Sequence, residues 1–511
     1  MRIYHIKNGD AAIANLRFKE YNKYDGRTET ENIHCTEKDN TGAKARSRKS
    51  SKPQKLALIG FAAAVTIGAF LTLLNIEKQI DADSASSAQE SETTVTAADA
   101  VPVNDIAEPE KIALISGNVT TADSVKLPDE IKQLLLDYTS DKYEYAGELK
   151  YSPLSQYFNT DSTYGRLYAG FCNTSLQYLI YARQCRSADL RYDEASFVIN
   201  VESATVKKGV YTINYTISEK VAFAICDTPA ESCGMEVEAQ ISKGTDGKYR
   251  FDILAEDTDV NLLIEKRVMS YLGYDYEEYY LKDMKIPDNL DYDKMYSGIL
   301  KKLKAEAESN ITEQEQMLAD YNADPDSFKV SKTAKHSYDR DKAVAYSYKW
   351  VNGESVVRNP AYSDYAIYGG NCQNYVSQSL FASGIPMDWS GSEQWKWFDD
   401  ESDLSELPTG RSGSWSGTQY FYEYCNKNTG KGIVAETDGN IFSAQPGDII
   451  QYVVDGWAHH SVIVTKLIYD DDGNVVDLLI NSNTTDRVDY PMSAYGYTDI
   501  RLIKIIGYND K

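Results

Sequence analysis

The sequence is poor in histidine and lacks the paired spacings that hold transition metals. It contains five histidines and seven cysteines in 511 residues, and neither a CxxC nor an HExxH spacing occurs. Because zinc sites draw their ligands from such clusters, we expect no metal site and no other cofactor.

Positive charge is also scarce. Lysine and arginine total 53 against 77 aspartates and glutamates, which gives a net charge of −24, and only the first 55 residues are basic on balance. An acidic body of this kind repels nucleic acid, so a DNA- or RNA-binding role is excluded. The hydrophobic share of 42% is that of a globular protein, and the length is too great for a single core.

Residues 56–76 contain no charged side chain. As a helix, this stretch is long enough to cross a hydrocarbon core of about 30 Å. Lys52 and Lys55 precede it, and Glu77 and Asp81 follow it. The positive-inside rule therefore predicts a signal-anchor in the cell membrane, with a cytoplasmic N-terminus and an extracellular body.

Composition divides the rest of the chain. We expect a disordered cytoplasmic tail over 1–55, an acidic Ser/Thr/Ala-rich linker over 77–126, an α+β accessory domain over 127–330, and a last domain over 335–511.

Periodicity locates elements inside the accessory domain. Helices are predicted at 164–183 and 294–321, and strands at 197–206 and 211–226. This element order resembles the nuclear-transport-factor-like (NTF2-like) and cystatin-like accessory domains. Cys226 and Cys233 flank a short loop, where a hairpin disulfide and two free thiols both remain open.

A cysteine with a glycine-rich approach opens a predicted helix in the last domain. Gly369 and Gly370 lead through Asn371 into Cys372, after which apolar residues recur at helical spacing. The amides and positive dipole end at a helix start favour a thiolate, which predicts a nucleophile. A buried, inert cysteine is the alternative.

Two adjacent histidines follow on a predicted strand that starts at Trp457. Alternation places His460 on one face with Val462 and Val464, and His459 on the other. We expect the His460 face to pack on the cysteine-bearing helix.

A turn at Asp472-Gly473 predicts the next strand and its register. Counting outward from this turn places Val462 opposite Asn483, so that His460 lies diagonally about 7–8 Å from Asn483. The order Cys372, His460, Asn483 is typical of papain-like enzymes.

Several ordered blocks over residues 335–508 carry a resemblance to a known family. They include Asn359-Pro-Ala-Tyr362, Asn371-Cys-Gln-Asn-Tyr-Val-Ser-Gln378, His460-Ser-Val-Ile-Val-Thr465 and Asn483-Thr-Thr-Asp486. The region resembles the bacterial amidase domain family of the papain-like clan, which is related to CHAP amidases and wall-cleaving cysteine endopeptidases. Asn371 stands where the family usually has Asp, and Asn483 stands where it has His.

The resemblance implies roles for these residues and a cysteine-bearing helix packed on an antiparallel sheet. Cys372 would attack an amide carbonyl, His460 would transfer the proton, and Asn483 would orient the imidazole. Asn371 would contribute to the oxyanion hole, and Trp457 would line the site.

The sequence therefore predicts a membrane-anchored extracellular cysteine amidase or peptidase. Its substrate would be a peptide or cell-wall peptide. The predicted extracellular location points to peptidoglycan as the material that contains the scissile amide. The alternative is a catalytically degenerate papain-like domain that serves as a wall-binding or scaffold protein. The oligomeric state stays open.

Overall fold

The computed structural model of the protein describes residues 113–276, 280–366, 369–390, 394–398 and 410–510. The predicted tail 1–55, the predicted membrane span 56–76 and residues 77–112 of the predicted linker lie outside the described residues.

In the described ranges, blocks of helices and blocks of strands follow one another along the chain. The helices are α1 Asp129–Glu148, α2 Thr163–Gln184, α3 Asp259–Leu272, α4 Tyr292–Ala323, α5 Arg340–Trp350, α6 Cys372–Ala382, α7 Gly413–Ser416 and α8 Thr418–Lys427. Short 3₁₀ turns occupy Ser155–Tyr157, Leu281–Asp283, Pro325–Ser327, Ile441–Ser443 and Met492–Ala494.

The strands fall into an N-terminal and a C-terminal group. The N-terminal group is β1 Leu114–Thr121, β2 Tyr192–Lys207, β3 Val210–Phe223, β4 Ala230–Lys243 and β5 Tyr249–Glu256. The C-terminal group is β6 Gly432–Thr437, β7 Ile449–Val454, β8 Trp457–Tyr469, β9 Val475–Ser482, β10 Asp486–Pro491 and β11 Asp499–Asn509.

Local chemistry explains where several helices begin and end. The Ser162 hydroxyl accepts the Gly165 N–H at 2.9 Å before α2, and the Asp339 carboxylate accepts the Lys342 N–H at 3.0 Å before α5. Each cap satisfies an amide that has no partner inside its helix. Gly273 ends α3 with φ +79°, a left-handed conformation that glycine adopts without steric cost.

All eleven strands join one sheet in the order β1-β2-β3-β4-β10-β9-β8-β7-β11-β6, with β5 paired to β4. Only β1 and β2 pair in parallel among these strands. The N-terminal and C-terminal groups meet where β4 pairs with β10 and Asp486 lies opposite Cys233. The long α4 also joins them, because Gln314 Nε2 donates to the Thr498 carbonyl at 2.6 Å.

Two hydrophobic cores lie on opposite faces of the C-terminal strands. Val462 and Val464 of β8 belong to a first core that includes the N-terminal helices and strands. Ile463 belongs to a second core with Val376 and Leu380 of α6. The C-terminal sheet is therefore covered on both faces, and successive residues of β8 serve different cores.

The predicted α+β class and the predicted elements are confirmed. The expected helices at 164–183 and 294–321 correspond to α2 and α4, and Cys372 is the first residue of α6. The expected strands at 197–206 and 211–226 lie mostly within β2 and β3.

The membrane prediction is corrected. No helix in the part of the chain that the structure describes is long and apolar enough to cross a membrane. The transmembrane component of the predicted fold class, and the single-pass extracellular location derived from it, are therefore not supported. The span predicted at 56–76 lies outside the described residues.

Two smaller expectations are also resolved. Leu114–Thr121, placed in the linker by composition, forms β1 and pairs with β2. Cys226 and Cys233 are both free thiols, so the hairpin disulfide does not form.

Candidate active site

Cys372 begins α6 and is buried, with 6% of its surface exposed. Burial raises the pKa of its thiol to about 11, although the backbone N–H groups of Ser461, Gln373 and Cys372 itself hydrogen-bond to the sulfur and lower the pKa. The loss of hydration on burial therefore raises the pKa of the thiol more than the backbone N–H groups at the helix start lower it. A thiol with this pKa is protonated at neutral pH, so the pKa does not support the thiolate, and the nucleophilic role of Cys372 stays a prediction.

The loop before Cys372 is tied to the end of β9. Asn371 Nδ2 donates to Asn483 Oδ1 at 2.8 Å, and the Asn371 N–H donates to Thr484 Oγ1 at 2.9 Å. Gly369 and Gly370 have φ of +116° and +151°, so the approach loop needs residues without a Cβ. Asn371 is therefore engaged in holding the loop, which leaves its predicted oxyanion role without direct support.

Thr484 has φ +101°, a rare conformation for a β-branched residue. Its hydroxyl accepts the Asn371 N–H, which fixes this strained residue against the start of α6. Strained backbone of this kind concentrates at functional sites.

The β8–β9 register differs by one from the predicted register at the site. From Ile468 to Lys466 the pairing follows the predicted count, but a bulge at Thr465 shifts it, so that Ile463 lies opposite Asn481. Thr465 Oγ1 donates to Asp489 Oδ1 at 2.8 Å. This contact holds the extra residue out of the ladder.

The shift places Asn481 opposite Ile463 on the α6 face of the sheet, and Asn483 contacts Asn371 at the start of α6. His460 lies on the other face, since it pairs with Tyr452 of the first core and its ring centroid is 6.2 Å from that of Tyr452 and 5.8 Å from that of Tyr495. The expectation that the His460 face packs on α6 is therefore wrong. The structure brings Asn371 and Asn483 to Cys372 but does not place Asn483 on His460.

The two histidines occupy different environments. A bulge between Tyr452 and Val453 makes His459 an extra residue in β8, and its side chain is exposed. His460 is 9% exposed, and its Nε2 atom has no hydrogen-bond partner among the described residues. Of the two, only His460 presents a buried, unengaged ring nitrogen.

An ion pair from distant sequence surrounds His460. Burial lowers the pKa of His460 to about 4, while Asp259 raises it and Arg487 lowers it. Asp259 and Arg487 are 3.1 Å apart, and the Arg487 guanidinium lies 4.4 Å from the Tyr495 ring centroid. The resting imidazole is therefore neutral. Sequence reasoning missed Asp259 because nothing near it in the chain marks a site.

Comparison with known proteins adds a family to this geometry. Residues 337–506 match the family described as "Putative amidase domain". The resemblance inferred from the sequence is confirmed, and the match supports an amidase-type hydrolase. We call residues 337–506 the amidase region.

A relative shares the same part of the chain. The "Uncharacterized protein YhbB" of Bacillus subtilis (strain 168) is 31% identical over 165 residues, which is 32% of this chain and 45% of that protein. The chain thus spans less than half the length of this curated relative. No solved structure matches the chain.

Gln373 and Ser461 connect α6 to β8 within the amidase region. Ser461 Oγ donates to Gln373 Oε1 at 2.7 Å, and Gln451 Nε2 donates to Ser461 Oγ at 2.9 Å. All three side chains are fully buried. They fix the strand whose amide contacts the Cys372 sulfur. In the sequence, the only sign of this network is Ser461, a small polar residue between the two histidines and the apolar run that follows.

Trp457 lies near the tip of the β7–β8 hairpin. Its side chain is 48% exposed, and its ring centroid lies 6.1 Å from that of Tyr420 in α8. These contacts do not place Trp457 over Cys372, so its predicted site-lining role stays a prediction. Within the described ranges, no group of three or more His, Cys, Asp or Glu side chains is arranged to hold a metal ion.

Proposed function

We propose that the amidase region hydrolyses a peptide-type amide bond, with Cys372 as nucleophile and His460 as general base. One observation carries the proposal: a buried thiol at a helix start contacts the β8 amide that follows His460, a buried, neutral histidine whose Nε2 has no hydrogen-bond partner in the described part of the chain. The family match supports the reaction class.

The first half-reaction forms a thioester. His460 Nε2 removes the Cys372 proton as the sulfur attacks the amide carbonyl carbon. The N–H groups of Cys372 and Gln373 are then suited to stabilise the oxyanion. The C–N bond breaks, and the imidazolium returns its proton to the leaving amine.

Water completes the reaction. His460 takes a proton from the attacking water, the C–S bond breaks, and the imidazolium returns that proton to the Cys372 sulfur as the carboxylic acid is released. Because the resting thiol and imidazole are both neutral, charge separates only during attack. Such a pair resembles a serine–histidine pair more than a preformed thiolate–imidazolium pair.

The described contacts include no hydrogen bond between Cys372 and His460. His460 lies on the face of β8 away from α6, one residue from Ser461, whose amide reaches the sulfur. The proposal therefore requires the His460 side chain to move past the β8 backbone towards the sulfur when substrate binds. Catalytic hydrogen bonds are often long in free enzymes and tighten in the complex. Asn371 and Asn483 act by positioning the start of α6.

A binding or scaffold role is the second candidate. Two observations support this role: the raised pKa of the Cys372 thiol and the engagement of Asn483 with Asn371 instead of His460. A cell-wall substrate rested on the membrane location alone, and no observation in the described residues supports it.

Purified full-length protein incubated with a pool of short peptides tests the proposal. We expect new amino groups to appear and Cys372→Ala to reduce their release by roughly a thousandfold or more. Cys226→Ala, at a half-buried thiol outside the site, is the matched control and should keep the activity. Equal activity of Cys372→Ala would overturn the nucleophile, and no release from any peptide would favour the scaffold role.

A further inference from the structure

A cavity of about 110 Å³ lies between the N-terminal helices and β10. It adjoins the candidate active site, because Asp259, Arg487 and Tyr495 line the cavity and also lie near His460. Its walls combine tyrosines with charged and apolar side chains. The charged side chains are Lys142, Arg183, Glu219, Glu256, Asp259 and Arg487.

Most of the charges in this cavity are paired. Lys142 Nζ lies 2.5 Å from Glu256 Oε2, and Arg487 Nη1 lies 3.1 Å from Asp259 Oδ2. Of the charged side chains that line the cavity, Arg183 and Glu219 are the two that belong to no ion pair of the described residues.

Arg183 is a buried cation bonded only to neutral groups. It is 3% exposed, and its guanidinium donates to the Ala494 carbonyl at 3.0 Å and 3.2 Å, to the Tyr192 hydroxyl at 2.7 Å and to the Tyr490 hydroxyl at 3.5 Å. No carboxylate of the described residues lies within ion-pair distance. Burying a guanidinium without a counter-ion is costly, so an anion in the cavity would stabilise it.

Glu219 is the corresponding carboxylate. It accepts hydrogen bonds from the hydroxyls of Tyr143 and Ser232, and no cation of the described residues pairs with it. Glu219 is close enough to act electrostatically on Arg183. The cavity is thus lined by a cation and a carboxylate that belong to no ion pair of the described residues and that interact electrostatically with each other.

The volume limits what can enter. A cavity of about 150 Å³ holds benzene, which has six heavy atoms. A cavity of 110 Å³ therefore suits a ligand of about that many atoms or fewer. The side chains of Lys142 and Asp259 are 23% and 16% exposed, so solvent reaches the rim and a small solute can enter.

We propose that this cavity binds a small zwitterionic α-amino acid of the size of glycine or alanine. Its carboxylate lies against Arg183 and its ammonium group against Glu219. The methyl group of alanine packs on the apolar wall formed by Leu176, Met235 and Val260. This binding does not depend on the proposed hydrolysis.

Titration calorimetry of the full chain with L-alanine, glycine, acetate, methylamine and L-tryptophan tests the site. We expect saturable binding of alanine and glycine, with much weaker binding of acetate and methylamine, because each of these carries only one of the two charges. Tryptophan should not bind, since its side chain exceeds the cavity.

Variants locate the site. Glu219→Gln should weaken alanine binding roughly 10- to 100-fold, as expected for loss of a charged hydrogen-bond partner. Glu202→Gln, on the exposed part of β2, is the matched control and should bind as wild type. Arg183→Met should abolish alanine binding. If Arg183→Met does not fold, the affinity of Glu219→Gln for alanine tests the site by itself.

The catalytic cysteine separates this proposal from the proposed function. Cys372→Ala should bind alanine as tightly as wild type, even though it should lose hydrolysis. Absence of saturable binding, wild-type affinity in Glu219→Gln, or tryptophan binding equal to that of alanine would overturn the proposed site.

Discussion

On the face of β8 that packs against α6, the polar side chains are hydrogen-bonded to one another, whereas on the opposite face His460 keeps an unpartnered nitrogen. Ser461 and Gln373 form a buried network on the α6 side, and Asn483 holds Asn371 there. On the other side His460 lies among Tyr452, Tyr495 and an ion pair, and its Nε2 has no hydrogen-bond partner among the described residues.

The two faces of β8 therefore have different proposed roles: one holds the sulfur in position, and the other supplies the proton acceptor. Buried polar groups are normally satisfied, and leaving one unsatisfied costs roughly 1–3 kcal/mol. The satisfied face fixes the position of the sulfur. The unsatisfied nitrogen is where a proton can be accepted, so the two faces contribute different parts of one proposed site.

The largest expected effect distinguishes the two histidines. His460→Ala should lower kcat/KM of peptide hydrolysis by roughly a thousandfold, because it removes the proposed base. His459→Ala, at the exposed neighbour, should keep most of the activity and stability. If His459→Ala is the inactive variant, His459 in the β8 bulge is the base, and the assignment of His460 as the base is wrong.

Acid should destabilise the protein through His460. Its pKa is about 4 in the folded state, below the usual unfolded value of about 6.5, so the folded state favours the neutral ring. The resulting stability is complete above pH 6.5 and is lost as pH falls towards 4, by up to about 3 kcal/mol. Urea unfolding at pH 7 and pH 4 measures this loss.

His460→Gln should reduce that pH dependence. His336→Gln, at an exposed histidine, is the matched control and should leave it unchanged. Equal acid sensitivity of wild type and His460→Gln would show that the ring is not held neutral by burial.

Reaction with iodoacetamide compares the sulfur with an ordinary thiol. Because the pKa of Cys372 is about 11, about two units above the ordinary value for a cysteine, its alkylation at pH 8 should be roughly 100-fold slower than that of a free thiol. The rate should increase about tenfold per pH unit until pH 11. Peptide mass spectrometry assigns the modified cysteine, and a fast, pH-independent rate below pH 8 would demonstrate a thiolate instead.

The smallest expected effect on activity comes from the hydrogen-bonded polar side chains on the α6 side of the sheet. Asn483→Ala should reduce the free energy of unfolding by about 1–3 kcal/mol, since Asn371 loses its buried acceptor. Activity should fall less than in His460→Ala. Asn118→Ala, exposed on β1, should change stability by less than about 0.5 kcal/mol. A thousandfold loss of activity at unchanged stability would mean that Asn483 orients the imidazole.

Much of the local structure was predictable because its causes are local. Helical spacing located α2 and α4, and the Gly-Gly approach located the start of α6 at Cys372. The resemblance to the amidase family was also predictable, since it depends on several ordered motifs. The membrane helix was an inference from apolar length alone, and the helices in the described ranges do not support it.

The arrangement of the site was harder to predict. Counting from the turn gave the correct pairing for Lys466 to Ile468, but the bulge at Thr465 changed it before the site. That bulge depends on a hydrogen bond to Asp489, which no local pattern reveals. A slip of one residue moves every following side chain to the other face of a strand.

The sequence by itself determined the elements, the cysteine at a helix start and the similarity to an amidase family, because these depend on residues close together in the chain. The tertiary structure alone decided which face carries His460 and Asn483, that burial raises the pKa of the Cys372 thiol, and that Asp259 and Arg487 lie near the imidazole. These properties depend on burial, register and contacts between distant residues, and such quantities exist only once the chain is folded.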